Sequence, residues 1–180
     1  FSGRLTAPLC IAGGLCRQWL EAEGIRIGAH IFRIGGGEDL RFDPLNPQID
    51  QISSDFPVLD PVFGEDMKNR IKNARAEGDS VGGMIECAVT GLPAGLGEPM
   101  FGGMESRISQ IVYGIPAVKG VNFGHELVFA YDRGSELNDP FVIENGTVKF
   151  LTNHCGGILG GITTGAPLIF YTTFKPTPSI

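Results

Sequence analysis

The chain lacks the marks of several large protein classes. No apolar run approaches the ~18 residues of a membrane-spanning helix, so no membrane role is expected. The opening Phe-Ser-Gly-Arg carries no initiator Met and no basic region leading into an apolar one, so no signal peptide is visible. The expectation is a chain that starts inside a longer protein or after processing. Cysteine is scarce: Cys10, Cys16, Cys87 and Cys155 show no C-x-x-C spacing. In a chain with this much apolar content, a disulfide framework is not expected. The four read as reduced, mostly buried thiols of a cytoplasmic protein. Basic residues are outnumbered, with 14 Lys and Arg against 20 Asp and Glu, net charge −6 and pI near 5.0. That excludes the basic stripe of a general nucleic-acid binder, while leaving room for a small phosphate pocket.

Familiar chemical motifs are missing as well. There is no P-loop, no H-E-x-x-H, and no G-x-G-x-x-G between a strand and a helix. No nucleophile elbow supports a Ser-His-Asp triad. The three histidines, His30, His125 and His154, lie far apart, so no metal site is expected.

What is present suits one ordinary domain over residues 1–180, with 42% hydrophobic and 19% charged residues. Apolar positions in 5–23 recur near a 3.6-residue period at Leu9, Ala12, Leu15, Cys16, Trp19 and Leu20, which predicts a helix ended by Gly24. Gly13 and Gly14 are costly inside a helix and predict close packing against another element. Residues 25–35 alternate, with Ile25, Ile27, Ala29 and Ile31 expected inward and Arg26 and His30 outward. Residues 36–61 turn to Gly, Asp, Pro and Ser and read as a surface excursion. A charged helix is expected over 64–77, with Met67, Ile71 and Ala74 as its apolar stripe. A strand follows at 81–92, a loop at 93–103, a helix at 104–115 and an extended segment at 117–124. Residues 125–137 read as a helix. Asn145-Gly146 between alternating runs predicts a type I′ hairpin over 141–152, and 167–176 a final strand. Without regular βαβ alternation, the fold class is α+β with antiparallel sheet.

Three stretches carry candidate chemistry. Asn153-His154 stands before the glycine run Gly156-Gly157-Ile158-Leu159-Gly160-Gly161. His154 is either a turn histidine or a ligand contact. The glycines either pack two backbones together or form a flat wall with free N–H donors for an aromatic cofactor. Lys175, between an apolar strand and Pro176 and Pro178, is aimed by the extended backbone; with Thr177 and Ser179 it can grip a phosphate. Ser2-Gly3-Arg4 before the first helix has the makings of an anion site.

Together these stretches are similar to one family. SGRLTA, EGDSVGG, GLPAGLGEPMF, IPAVKGVNFG, NHCGGILGGITTG and FKPTPSI follow one another as in chorismate synthases and span the chain. The resemblance implies antiparallel sheets sandwiched with helices on the outside. It implies a lyase of the shikimate pathway that converts 5-enolpyruvylshikimate 3-phosphate to chorismate by 1,4-anti elimination of phosphate. Reduced FMN is the expected cofactor, with NADP associated, and the expected assembly is a cytoplasmic homotetramer. Flavin-binding positions carry over to Ser2, Pro116, Ala117, Gly160, Lys175, Pro176, Thr177, Pro178 and Ser179, and a substrate contact to Arg4. Leu5, Pro116 and Asn122 replace the Glu, Asn and Glu frequent in the family. The family's Gly-Glu-Ser-His-Gly motif, with its proton-donating histidine, is absent, as is the Asp- and Arg-bearing segment after the Lys-Pro-Thr motif. The chain therefore resembles a central piece of the enzyme with no catalytic residue of its own, expected to be inactive alone. The alternative is a non-catalytic core that binds flavin or phosphate or serves oligomerisation.

Overall fold

A computed structural model describes residues 3–124 and 129–178. After a single 3₁₀ turn at Gly3–Leu5, helix α1 runs Thr6–Ala22. Gly24 then takes φ +80°, and the amides of Gly24 and Ile25 donate to the carbonyls of Glu21 and Leu20. That is a Schellman stop, which accounts for the glycine there. Helix α2, Pro61–Ala76, starts three residues earlier than the sequence predicts, because Asp60 caps Val62 N and Pro61 fills the first helical position. Helix α3, Met104–Val112, is three residues shorter than predicted. Pro116 disfavours helical geometry at Ile115, and the end tightens into i→i+3 bonds at Gly114 and Ile115.

The strands are β1 (Arg26–Ile34), β2 (Gly37–Glu38), β3 (Gly83–Thr90), β4 (Val118–Phe123), β5 (Phe141–Glu144), β6 (Thr147–Phe150), β7 (Ile158–Leu159), β8 (Ile162–Thr163) and β9 (Leu168–Phe174). Five form one antiparallel sheet in the order β2-β1-β3-β9-β4. β5 and β6 make the expected hairpin, with Asn145 and Gly146 both at positive φ, and β7 and β8 make a second short ladder. This is the α+β, antiparallel architecture expected, with the helices outside the sheet.

The core brings together Phe32, Phe42, Met84, Ala88, Ile169 and Tyr171, backed by Ile49, Ile52 and Leu59. This overturns the sidedness expected of β1. Gly28, His30 and Phe32 are buried, whereas Ala29 is exposed and Ile27 and Ile31 are half-buried. Alternation fixes which residues share a face but not which face is covered. The cover here is the irregular stretch 36–60, which brings Asp39, Phe42 and Val58 to burial and seats Ile49 against Gly28. The stretch is a lid on the sheet rather than a surface excursion.

Three further expectations fail. No α1 residue is buried, and a Cβ built on Gly13 or Gly14 meets nothing within 4 Å, so nothing among the described residues packs on that glycine pair. Cys10 and Cys16 are exposed and Cys87 and Cys155 half-buried, all four as free thiols, so the expectation of mostly buried cysteines does not hold. The helix predicted over 125–137 lies partly outside the described residues; its part at 131–137 forms turns and bends. No described helix is long and apolar enough to cross a membrane.

Candidate functional site

The candidate residues fall into two groups. The first gathers where β4 begins and β9 ends. Ala117 is exposed and holds φ +72°, a left-handed geometry uncommon outside glycine. Its carbonyl accepts from Lys175 N at 3.0 Å, which joins the Pro116-Ala117 pair to the Lys175–Pro178 segment. Pro116 is half-buried; Lys175, Pro176, Thr177 and Pro178 are exposed, and Lys175 Nζ lies 3.5 Å from the Pro176 carbonyl.

A third segment completes this junction: the EGDSVGG stretch singled out above without a residue role. Ser80 Oγ donates to the Thr177 carbonyl at 2.6 Å. Gly82 touches the same tail so closely that a Cβ there would stand 2.7 Å from the Phe174 carbonyl and 3.0 Å from Pro176 Cδ. The glycine is demanded by that approach. Beside the junction opens a cavity of about 530 Å³, lined by Ile31, Ile71 and Phe174 with Arg33, Arg75 and Ser80 among its polar members.

The second group is the glycine run. Gly160 is exposed at the β7–β8 turn, φ +59°, with open space where a side chain would be. Gly161 next to it is packed: its carbonyl accepts from Met104 N at 2.9 Å, and Gly103 Cα stands 2.9 Å from its built Cβ. Gly156 and Gly157 are buried against the start of β9. The run is thus both things the sequence left open: packed at Gly156, Gly157 and Gly161, bare at Gly160. The two groups belong to opposite ends of β9, whose seven residues extend roughly 20 Å. Among the described residues no hydrogen bond joins Gly160 to the Ala117–Lys175 junction.

Ser2 and Ser179 lie outside the described residues. Arg4 is exposed on the 3₁₀ turn before α1. His154 is half-buried, and its backbone N–H donates to Asp139 Oδ1 at 2.6 Å. Asp139 also accepts from Cys155 N and the Thr152 hydroxyl. Burial pushes the Asp139 carboxyl up, but these donors outweigh it and hold the group below the usual carboxylate range. Asn153, buried, ties the same loop down by donating to the carbonyls of Pro44 and Pro167 and accepting from Gly157 N. Among the described residues no cluster of three or more His, Cys, Asp and Glu is placed to hold a metal ion.

Sequence reasoning missed the most buried polar cluster among the described residues. His30 bridges Asp39 and Glu86, and Tyr171 donates to Glu86. The available signal was Glu86 alternating with Met84 and Ala88 on one face of a central strand, where a lone carboxylate requires partners. Cys87 faces away from that core; burial and the neighbouring Glu86 charge push its thiol up to about 12.

The profile of the chorismate synthase family matches residues 1–180. The chain is 44% identical over 194 residues to a chorismate synthase of Lancefieldella parvula and 47% identical over 181 residues to one of Thermococcus gammatolerans. Each match covers 100% of this chain and 51% and 50% of the relative, so the chain spans about half the length of the curated relatives it matches. A crystal structure of chorismate synthase superposes with a TM-score of 0.89 at 30% identity, over 97% of this chain and 56% of that one. Family profile, relatives and fold agree: the chain belongs to the chorismate synthase family.

Proposed function

We propose that the chain is the flavin-holding part of an enzyme that converts 5-enolpyruvylshikimate 3-phosphate to chorismate by 1,4-anti elimination of phosphate, with reduced FMN. The observation that carries this reading is the Ala117–Lys175 backbone bond, which unites two segments resembling the family's flavin contacts. The residues fit such a group in kind. Gly160 offers a bare backbone surface to a flat ring, and exposed Lys175 offers a cation to a phosphate, with Thr177 as a further polar partner. Ala117 keeps its side chain small beside the Lys175 strand end, and Pro116 and Pro176 stiffen the two backbones. Ser2, Pro178 and Ser179 extend the same set, and Arg4 is assigned to the substrate. Reduced flavin, when bound, supplies the electron density that side chains cannot.

The 180 residues contain no Gly-Glu-Ser-His-Gly, the motif that carries the proton donor in the family. General acid–base groups contribute about 10²–10⁴-fold each, so the 180-residue chain by itself is expected to be inactive. Cytoplasmic location and a homotetramer belong to the same reading. Phosphate release from the enolpyruvyl substrate, followed with reduced FMN supplied, tests inactivity: turnover by the isolated chain overturns it. Flavin fluorescence on titration tests the site. Quenching that Lys175→Ala weakens supports it; no quenching at high protein concentration favours a structural core. That second reading has its own support in α1, whose Leu15 and Trp19 are 66% and 73% exposed.

A further inference from the structure

His30 is 1% exposed and both its ring nitrogens face carboxylates. Nδ1 lies 3.1 Å from Asp39 Oδ2, and Nε2 lies 2.7 Å from Glu86 Oε2. The two acids come from different parts of the chain, Asp39 from the lid over 36–60 and Glu86 from β3 in the sheet. Each is ringed by other donors. Asp39 accepts from Leu59 N at 2.6 Å and Asp60 N at 3.0 Å. Glu86 accepts from Phe42 N at 2.9 Å and Tyr171 Oη at 2.6 Å. An ionised carboxylate is an acceptor only. With four other donors converging on these two groups, each ring nitrogen of His30 completes its bond by donating. A neutral ring would also leave two buried carboxylates with no cation between them, the costly case.

We infer that His30 is held as an imidazolium between Asp39 and Glu86, and that this buried ion triad is the latch fastening the 36–60 lid to the sheet. Everything facing the ring agrees. Phe42 and Phe32 pack their rings against it at 4.6 and 6.4 Å between centroids, edge to face. The guanidinium groups of Arg33 and Arg41 lie over the Phe32 ring at 4.8 and 5.2 Å, one aromatic layer away from the triad. Tyr171 reaches it only through Glu86. A cavity of about 260 Å³ borders Glu86 and Tyr171 on the side away from the ring. Breaking either ring contact of His30 opens the latch. The lid amides that depend on it are those of Phe42, Leu59 and Asp60. This inference is independent of the flavin reading.

Neutron diffraction from crystals of the protein at its natural length, grown near neutral pH, reads the ring directly. Deuterons on both Nδ1 and Nε2 are expected; a bare nitrogen overturns the imidazolium. Hydrogen exchange reads the latch. In His30→Gln, protection of the Phe42, Leu59 and Asp60 amides is expected to fall about ten- to hundredfold relative to the β9 amides, the effect of losing hydrogen bonds to charged groups. Unchanged relative protection overturns the latch. Should that variant not fold, Glu86→Gln, which keeps the side-chain shape and removes the charge facing Nε2, carries the same test. The three lid amides are expected to lose more protection, corrected for intrinsic rate, than those of β9. Equal loss across lid and sheet overturns it.

Discussion

Substituting alanine at Gly157 and at Gly160 separates a glycine that packs from one that can face a ligand. Both hold positive φ, +79° and +59°, so both variants carry the left-handed strain of roughly 1–2 kcal/mol. At Gly160 nothing lies within 4 Å of the new methyl, and strain is the whole effect. At Gly157 the methyl stands 2.5 Å from the Pro167 carbonyl oxygen and 2.9 Å from that of Ala166. Neither is a flexible side chain, so the backbone entering β9 has to shift. With an overpacking cost of about 1–3 kcal/mol added, Gly157→Ala is expected to lose roughly 2–5 kcal/mol. That is a large part of the ~5–15 kcal/mol typical of a domain. Urea unfolding of the two variants beside the parent protein measures both losses through the midpoint at constant m. Gly160→Ala should stay within about 2 kcal/mol of the parent, yet bind FMN more weakly. A Gly160→Ala loss equal to that of Gly157→Ala would refute the assignment of open space at Gly160, and with it the bare wall.

Asp60→Ala removes the cap on Val62 N at 2.8 Å and is expected to lower stability by about 0.5–2 kcal/mol, read as a drop in Tm; an unchanged Tm would show that α2 starts without it. Asp139 is held below the ordinary carboxylate range when folded. Its contribution is therefore present above the unfolded value of ~3.9 and is lost as pH falls through the lower folded value. Asp139→Asn should flatten the acid limb of the stability–pH profile there, and a parallel profile in the variant counts against the three-donor clamp. The Cys87 thiol, pushed up to about 12, stays neutral near pH 8, whereas Cys10 and Cys16 are exposed. Mass spectrometry after brief alkylation of the isolated chain should find Cys10 and Cys16 modified first; early labelling of Cys87 is the contrary outcome.

The sequence made the elements legible and the covering of them illegible. The first helix with its Gly24 stop, the Asn145-Gly146 hairpin and the final strand expected over 167–176 were readable because each rests on chemistry within a few residues; the start of α2 at Asp60-Pro61 and the end of α3 before Pro116 were as local and went unread. The face of β1 was not, because it depends on the 36–60 segment that follows it, which composition marks as solvent-exposed. A run rich in Asp and Pro folds inward here because its carboxylate finds a buried histidine and its Phe42 and Ile49 find the sheet. In the candidate site, the Pro116-Ala117 and Lys175–Ser179 segments were named from resemblance, and the described part of the pair meets in space. Ser80 and Gly82 belong to the EGDSVGG motif, but their contact with the tail is a long-range fact. The glycine run could not be divided into packed and open positions, since a glycine letter carries its own φ range but not its neighbours.

The sheet order also sets when the fold can close. β9 lies between β3 and β4, and among the described residues β4 pairs with no other strand of the sheet. The ladder that joins them pairs Gly83 with Phe174, so both edges stay unsatisfied until a distant stretch of chain arrives. Closure across so long a loop is entropically unfavourable and slow. During synthesis, β1 and β3 can pair early, but β3 waits with an open edge, an invitation to pair with the wrong strand. Assembly of this chain is therefore a problem of timing, and the β3 edge is where the topology leaves it open until β9 arrives.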